Sequence, residues 1–207
     1  MHVDADSIKQ TLRILALGDS YTIGEAVNAG ERWPVQLLHR LRKRGFPVEH
    51  PVLVARTGWT TAELEAGIRE ARPSGVFGLV SLLIGVNNQY RGGDTAQYRK
   101  EFRSLLEQAM VFSGGIAANV VVLSIPDWGV TPFAEGHDRR EIADAIDAFN
   151  LVNREEALRA GAHYVDVTAS SRLAAKDTSL LASDGLHPSG RMYELWTMLV
   201  LAEMFPE

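Results

Sequence analysis

The sequence predicts an α/β protein in which helices cover both faces of a mainly parallel sheet, giving a three-layer α/β/α sandwich. Five short apolar runs alternate with longer amphipathic stretches, which is the order expected of repeated strand–helix units. The runs are apolar nearly throughout, as expected of strands that are buried on both faces. A length of 207 residues fits one domain, which we expect to span residues 1–207.

Each of the five predicted strands ends where apolar residues give way to small or polar ones. The first, "LRILALG", stops at Gly-Asp-Ser close to the start of the sequence. In the second, Pro51 lacks the N–H that a sheet ladder requires, which favours a position at the edge of the sheet. The strands are predicted over residues 12–18, 48–56, 76–85, 119–126 and 162–168.

The first two long amphipathic stretches carry signals for the start and end of a helix. Pro34 lies in the first turn of a helix predicted over 33–44, and Gly45 follows its end. The next helix is preceded by Thr-Thr-Ala-Glu from Thr60 to Glu63, a pattern typical of a capping box.

The later helices are predicted from the same kind of signals. Asp94 and Asp138 are expected to cap two of them, and Gly161 to end the second. The last helix is predicted from about residue 188 to 204. Its core-facing residues are predicted to be Met192, Leu195, Trp196 and Leu199.

Composition excludes several classes of function. The net charge is −5, from 21 Lys and Arg against 26 Asp and Glu, so no positive excess indicates a nucleic-acid-binding protein. The dense basic cluster Arg40–Gly45 falls at a predicted helix end, where cations complement the helix dipole, and is interpreted as solvated. The absence of cysteine rules out disulfides, thiolate catalysis and zinc bound by cysteine.

The N-terminal stretch predicts no targeting to a membrane. Residues 1–10 are polar and acidic, without the basic and apolar regions of a signal peptide. No apolar run approaches the roughly 20 residues that a membrane-spanning helix needs. We therefore expect a cytoplasmic protein without stable membrane insertion, and the sequence gives no indication of the oligomeric state.

Polar and ionisable residues collect directly after the predicted strands. In open parallel sheets, binding sites form beyond the carboxyl ends of the strands. We therefore expect the functional site among these residues. They are Gly18, Asp19 and Ser20; Arg56 to Trp59; Gly85 to Asn88; Pro126 to Trp128; and, before the last helix, Asp184 and His187.

Three of these residues have the chemistry of an activated nucleophile. The hydroxyl of Ser20 is a weak nucleophile that needs a base within hydrogen-bond reach, and His187 can be that base. Asp184, three residues before His187, can accept from the imidazole Nδ1–H and leave Nε2 facing Ser20. An oxyanion also needs donors, and candidates are the N–H groups of Ser20 and Gly58 and the side-chain amide of Asn87.

Each of these features has a commoner structural explanation when it is taken alone. A serine after a strand is usually a helix cap or a loop hydroxyl. Gly58 alone indicates a turn residue with positive φ, and Asn87 alone a loop amide that bonds backbone. Asp184 and His187 lack an obvious third ligand, so we predict no metal site.

Other polar and aromatic residues near the strand ends are given structural roles. Asp19 is expected to bond loop backbone groups rather than to act with His187. Trp59 and Trp128 are expected to cover the core. The remaining histidines, expected to be surface or structural residues, are His2, His39, His50, His137 and His163.

Taken together and in this order, four sequence blocks resemble the GDSL esterase/lipase family, also called SGNH hydrolases. The blocks are Gly-Asp-Ser-Tyr at 18–21, "RTGWTT" with Gly58, "IGVNN" with Asn87, and "DGLHPS" with Asp184 and His187. They span nearly the whole chain at spacings similar to those of the family. "GVNNQYRG" is similar to a subgroup related to lysophospholipase L1-like esterases.

The resemblance implies a flavodoxin-like fold with a five-stranded sheet, the SGNH hydrolase fold, and a small-molecule ester substrate. It implies Ser20 as nucleophile, His187 as base and Asp184 as its partner, with Ser20, Gly58 and Asn87 as the oxyanion hole. It also implies a shallow, open site without a cofactor. The family often has Gly-x-Asn-Asp in the third block, whereas Asn88 follows Asn87 here, so the local network and the pocket are open questions.

Three other functions remain open at this stage. An acyltransferase would use the same acyl-serine with another acceptor alcohol, and a non-catalytic ligand-binding protein would keep the fold alone. A nucleotide-binding domain lacks the expected glycine-rich pattern. The segment 126–140 is expected to wall the pocket, with Trp128 and Phe133 favouring apolar groups. Short acyl chains are favoured because no insertion of the size of a lid is visible.

Overall fold

The computed structural model describes residues 11–206, which form a five-stranded sheet in the order β2-β1-β3-β4-β5. All four strand pairs are parallel. This is the order of flavodoxin-like doubly wound sheets, so the predicted class is confirmed. The strands are β1 Ile14–Gly18, β2 Val52–Ala55, β3 Leu79–Leu83, β4 Val120–Leu123 and β5 His163–Val165.

The helices pack in two groups, one against each face of the sheet. Helix α2 packs against α8, whereas α5 packs against both α3 and α6. The order also places β2 at an edge of the sheet, as Pro51 predicted. The helices are α1 Ser20–Ile23, α2 Trp33–Lys43, α3 Thr61–Ala71, α4 Val86–Tyr90, α5 Thr95–Phe112, α6 Arg139–Ala160, α7 Thr168–Ser171 and α8 Gly190–Met204.

The predicted helix caps are confirmed. The hydroxyl of Thr60 accepts from the Glu63 N–H while the Glu63 carboxylate accepts from the Thr60 N–H, which completes the capping box of α3. Asp94 accepts from the N–H of Gln97 at the start of α5. These bonds satisfy N–H groups that have no partner inside the helix. At the end of α6, Gly161 has a φ of 75°.

The predicted core face of α8 is partly wrong. Met192 and Trp196 are buried, but Leu195 and Leu199 are 37% and 38% exposed. The helix is apolar on more than one side, so apolar spacing alone did not fix which side meets the core. Its buried residues are Met192, Tyr193, Trp196, Thr197, Val200 and Leu201.

The basic cluster at the end of α2 remains at the surface but is tied to neighbouring elements. Arg40 pairs with Glu194 on α8. Arg42 donates two hydrogen bonds to the carbonyl of Val48, at 2.7 and 3.0 Å. The cluster therefore holds the end of α2 in place, in addition to complementing its dipole.

No helix within residues 11–206 is long and apolar enough to cross a membrane. The expectation about the polar stretch 1–10, like the one about His2, lies outside the described residues.

Candidate active site

The predicted site residues lie around a cavity of about 150 Å³ at the carboxyl ends of the strands. Four of the five line it directly, namely Ser20, Gly58, Asn87 and His187. Asp184 reaches the cavity through its contact with His187. The complete lining consists of Ser20, Tyr21, Thr57, Gly58, Val86, Asn87, Tyr90, Trp128, Phe133, Leu186 and His187.

Ser20 is delivered to the cavity by a tight connection between β1 and α1. A Cβ atom on Gly18 would lie 2.2 Å from Thr22 Oγ1 and 2.4 Å from the carbonyl oxygen of Leu83, so only glycine fits. Ser20 is the first residue of α1 and is 5% exposed. The stretch after β1 thus begins with a short helix that fixes the position of Ser20.

Asp184 and His187 form a close pair on one turn. His187 Nδ1 lies 2.6 Å from Asp184 Oδ2, and Asp184 Oδ1 accepts from the N–H groups of Leu186 and His187. Burial alone would raise the pKa of Asp184, but these hydrogen bonds outweigh it and lower the pKa below its ordinary value. The carboxylate is therefore ionised at neutral pH and lies within hydrogen-bond distance of the imidazole.

His187 is held beside Ser20 by its surroundings. Its carbonyl accepts from the Ala182 N–H at 2.7 Å, and its ring lies 5.7 Å from that of Tyr21. In the part of the chain that the structure describes, no hydrogen bond joins Ser20 to His187, although both line the cavity. Such bonds are often long in a free enzyme and tighten when substrate binds.

The three predicted oxyanion donors are available. Among residues 11–206, the backbone N–H groups of Ser20 and Gly58 have no acceptor. Gly58 has a φ of +84°, as the turn interpretation predicted. Asn87 Nδ2 donates to the carbonyl of Trp59 at 2.9 Å, which fixes the amide and leaves its second N–H for another acceptor.

Asn88, the departure from the family pattern, points away from the cavity. Its Oδ1 accepts from the Thr61 N–H at 3.1 Å, and its Nδ2 donates to Thr61 Oγ1 at 2.7 Å. It therefore ties α4 to the first turn of α3, where backbone N–H groups need partners. Asn88 is absent from the cavity lining, so asparagine at this position in place of the family's usual aspartate does not change the residues that line the cavity.

An apolar wall faces these polar groups. Trp128 and Phe133 belong to it, as expected of the segment 126–140. Val86 lies in the stretch after β3 where the site was expected, whereas sequence reasoning missed Tyr90 and Leu186 as wall residues. Tyr90 is the last residue of α4, a five-residue helix too short to show a periodic pattern.

The other histidines fit their structural interpretation. His39, His50 and His137 are exposed, and His163 Nδ1 lies 2.6 Å from Glu203 Oε1. No group of three or more His, Asp or Glu side chains in residues 11–206 is arranged to hold a metal ion.

Asp19 has a structural contact, as predicted, but its environment is more unusual than the sequence indicated. The side chain is completely buried, and Oδ1 accepts from the Tyr21 N–H at 3.0 Å. Oδ2 is buried without a hydrogen-bond partner among the described residues. Burial raises the pKa of Asp19 to about 7, against the opposing effect of backbone hydrogen bonds.

The raised pKa of Asp19 predicts a loss of stability with rising pH. The folded state holds this proton up to about pH 7, whereas the unfolded state releases it near 3.8. The free energy of unfolding should therefore fall between pH 4 and pH 7, by on the order of 4 kcal/mol. Asp19→Asn keeps the size and the accepting oxygen and should remove this slope.

Urea unfolding of both proteins at several pH values tests this prediction. Other titrating groups are common to the two proteins, so their effects cancel in the difference. If the free energy of unfolding changes equally in wild type and Asp19→Asn between pH 4 and pH 7, the prediction is contradicted.

The fold resembles those of several solved structures. TesA is 22% identical, with a TM-score of 0.70, over 94% of this chain and 98% of that one. Axe2, an acetylxylan esterase from Geobacillus stearothermophilus, is 20% identical, with a TM-score of 0.72, over 97% and 98%. EstA, a psychrotrophic esterase from Pseudoalteromonas sp., is 15% identical, with a TM-score of 0.68, over 93% and 96%. At these identities the likeness shows the fold.

The family is established by the sequence itself. No curated protein sequence matches the chain significantly. Residues 16–195 nevertheless match the profile of the GDSL-like Lipase/Acylhydrolase family, and this range includes all four blocks that carried the resemblance. The chain therefore belongs to the GDSL-like Lipase/Acylhydrolase family, and it is a carboxylic ester hydrolase.

Proposed function

We propose that the chain is a serine esterase that cleaves carboxylic esters through an acyl-serine intermediate. Ser20 is the nucleophile, His187 the general base and Asp184 the group that orients His187. The observation that carries this proposal is the convergence of Ser20, the Asp184–His187 pair and Asn87 on one apolar cavity. The family membership supports the same reaction class.

The reaction begins when Ser20 Oγ attacks the ester carbonyl and His187 Nε2 takes its proton. Asp184 Oδ2 holds the Nδ1–H of His187, which keeps Nε2 free to accept and stabilises the imidazolium. His187 then gives the proton to the leaving alcohol. Water attacks the acyl-serine with the same assistance, which releases the acid and restores Ser20.

The negative charge on the tetrahedral oxygen needs donors that are already in place. The free N–H groups of Ser20 and Gly58 and the amide of Asn87 supply them. Because the hydrogen bond to Trp59 fixes the Asn87 amide before substrate arrives, little reorganisation is needed in the transition state.

Asn87→Ala should lower kcat by about 10²- to 10³-fold, the usual effect of losing one oxyanion donor. The fold should be retained, because Asn87 lies in a short surface helix. Steady-state kinetics on p-nitrophenyl acetate measures the effect. Asn88→Ala is the matched control, since the adjacent amide bonds Thr61 outside the cavity and its loss should lower stability while kcat stays near wild type.

The cavity favours small acyl groups. Its volume of about 150 Å³ matches that of an engineered apolar cavity that holds benzene, so about six carbons fit. Val86, Tyr90, Trp128, Phe133 and Leu186 give it an apolar lining. Acetyl esters fit comfortably, and Axe2, which shares this fold, is described as an acetyl-xylooligosaccharide esterase.

A series of p-nitrophenyl esters from acetate to palmitate, run beside acetylated sugars, tests this assignment. We expect kcat/KM to be highest between acetate and hexanoate and to fall beyond. A maximum at palmitate would contradict the short-acyl assignment. Absence of hydrolysis together with absence of fluorophosphonate labelling would refute the esterase itself. Product analysis with added alcohols detects transfer to acceptors other than water.

A further inference from the structure

A second cavity, of about 350 Å³, lies on the other side of the apolar wall. Tyr90 and Trp128 line both cavities and form a partition between them. Part of the second cavity is apolar, because Ile142, Ala145 and Phe149 lie at spacings of three and four residues on one face of α6. The partition thus separates the site of Ser20 from a second cavity that has this apolar strip on one side and polar groups, among them His137, Asp138 and Glu141, around it.

The two partition residues are held very differently. Trp128 is 5% exposed, and its Nε1 donates to Gln89 Oε1 at 2.9 Å. Its ring also contacts Phe133 and His137, with centroids 5.9 and 5.5 Å apart. These contacts from several sides make Trp128 the fixed half of the partition.

Tyr90, the other residue of the partition, is held by fewer contacts. It is the last residue of α4 and is 52% exposed. Its hydroxyl has no hydrogen-bond partner within residues 11–206. Its ring contacts Trp128 and Phe133, with centroids 5.4 and 6.1 Å apart. Tyr90 can therefore be replaced with little cost to the fold.

The geometry points to Tyr90 as the residue that sets the upper limit of acyl-chain length, by closing the Ser20 cavity against the second cavity. This inference rests on the proposed esterase function. Chains of up to about six carbons end before the partition, whereas longer chains meet the Tyr90 ring. Without the ring, a longer chain can continue over Ile142, Ala145 and Phe149.

Removal of the ring should change selectivity with chain length rather than general activity. Each additional methylene that becomes buried favours the transition state by about fourfold. For Tyr90→Ala we expect the ratio of kcat/KM for decanoate to that for butyrate to rise by about 100-fold over wild type. The value for acetate is measured beside them, so that a general change in activity is separated from a change in chain-length selectivity.

Phe133→Ala is the matched control. Phe133 is an exposed aromatic residue of the same wall but lines the first cavity without lining the second. Its removal should widen the mouth and leave the decanoate-to-butyrate ratio near wild type. Tyr90→Phe keeps the ring and should also leave the ratio unchanged. Tyr90→Trp enlarges the ring and should move the limit to shorter chains.

The experiment measures kcat/KM on p-nitrophenyl esters from acetate to laurate for the five proteins, with thermal unfolding as a check of folding. An unchanged decanoate-to-butyrate ratio in Tyr90→Ala, or an equal rise in Phe133→Ala, overturns the inference while esterase activity persists. Should Tyr90→Ala fail to fold, Tyr90→Trp decides through the direction of its shift. If wild type hydrolyses no ester, the proposed function fails, and this inference with it.

Discussion

Ser20→Ala should lower kcat for ester hydrolysis by on the order of 10⁶-fold, to a level near background. Loss of a serine nucleophile has an effect of this size in a serine protease, where the remaining rate comes from oxyanion stabilisation and binding. The substitution should not disturb the fold, because Ser20 begins α1 and its cap comes from Asp19. Stopped-time assays with p-nitrophenyl acetate at high enzyme concentration measure the residual rate.

Ser81→Ala provides a matched control for Ser20→Ala. Ser81 is a buried serine in the neighbouring strand β3, and its hydroxyl has no hydrogen-bond partner among residues 11–206. A fluorophosphonate probe should label wild type and Ser81→Ala but not Ser20→Ala. Wild-type turnover by purified Ser20→Ala would refute the role of Ser20 and the acyl-serine mechanism.

Asp184→Asn should lower kcat by about 10⁴-fold, the effect of the corresponding change in a serine protease. The asparagine oxygen can still accept from the N–H groups of Leu186 and His187, so the turn should persist. Its amide, however, donates towards His187 Nδ1. The imidazole proton then moves to Nε2, and His187 can no longer accept from Ser20.

The control for Asp184→Asn is the same change at Asp177. Asp177 also accepts from a backbone N–H two residues ahead, but its side-chain partners are Ser179 and Arg191 instead of His187. Asp177→Asn should therefore keep wild-type kcat. Because the pKa of Asp184 is lowered, its protonation should limit wild-type activity only at a lower pH than an ordinary aspartate would. Comparable rates for the two variants would show that Asp184 does not orient His187.

Features with a local sequence signal were predicted well. Pro51 reduced the number of possible strand orders, because it indicated that its strand lies at an edge of the sheet. The caps at Thr60, Asp94 and Asp138 could be predicted because each is a side chain that bonds backbone only a few residues away. Residues of the candidate site could be proposed because parallel strands bring their carboxyl ends to one edge.

Features set by tertiary packing were not predicted. Helix α8 is apolar on several sides, so its packing against α2 and β5 determines that Thr197 and not Leu199 is buried. Tyr90 joins the cavity wall because α4 turns it towards Trp128, a contact between distant parts of the chain. The burial of Asp19 likewise depends on elements that close over it from elsewhere in the fold.

The separation of Ser20 and His187 along the chain bears on how refolding can be followed. The two residues are 167 positions apart, and the entropy cost of closing such a loop grows only with the logarithm of its length. During refolding, the helix content measured by circular dichroism recovers as helices form anywhere in the chain. Under the proposed mechanism, esterase activity returns only when the segment that carries His187 has docked beside α1. The delay between the recovery of circular dichroism and the recovery of esterase activity therefore measures when the C-terminal segment docks.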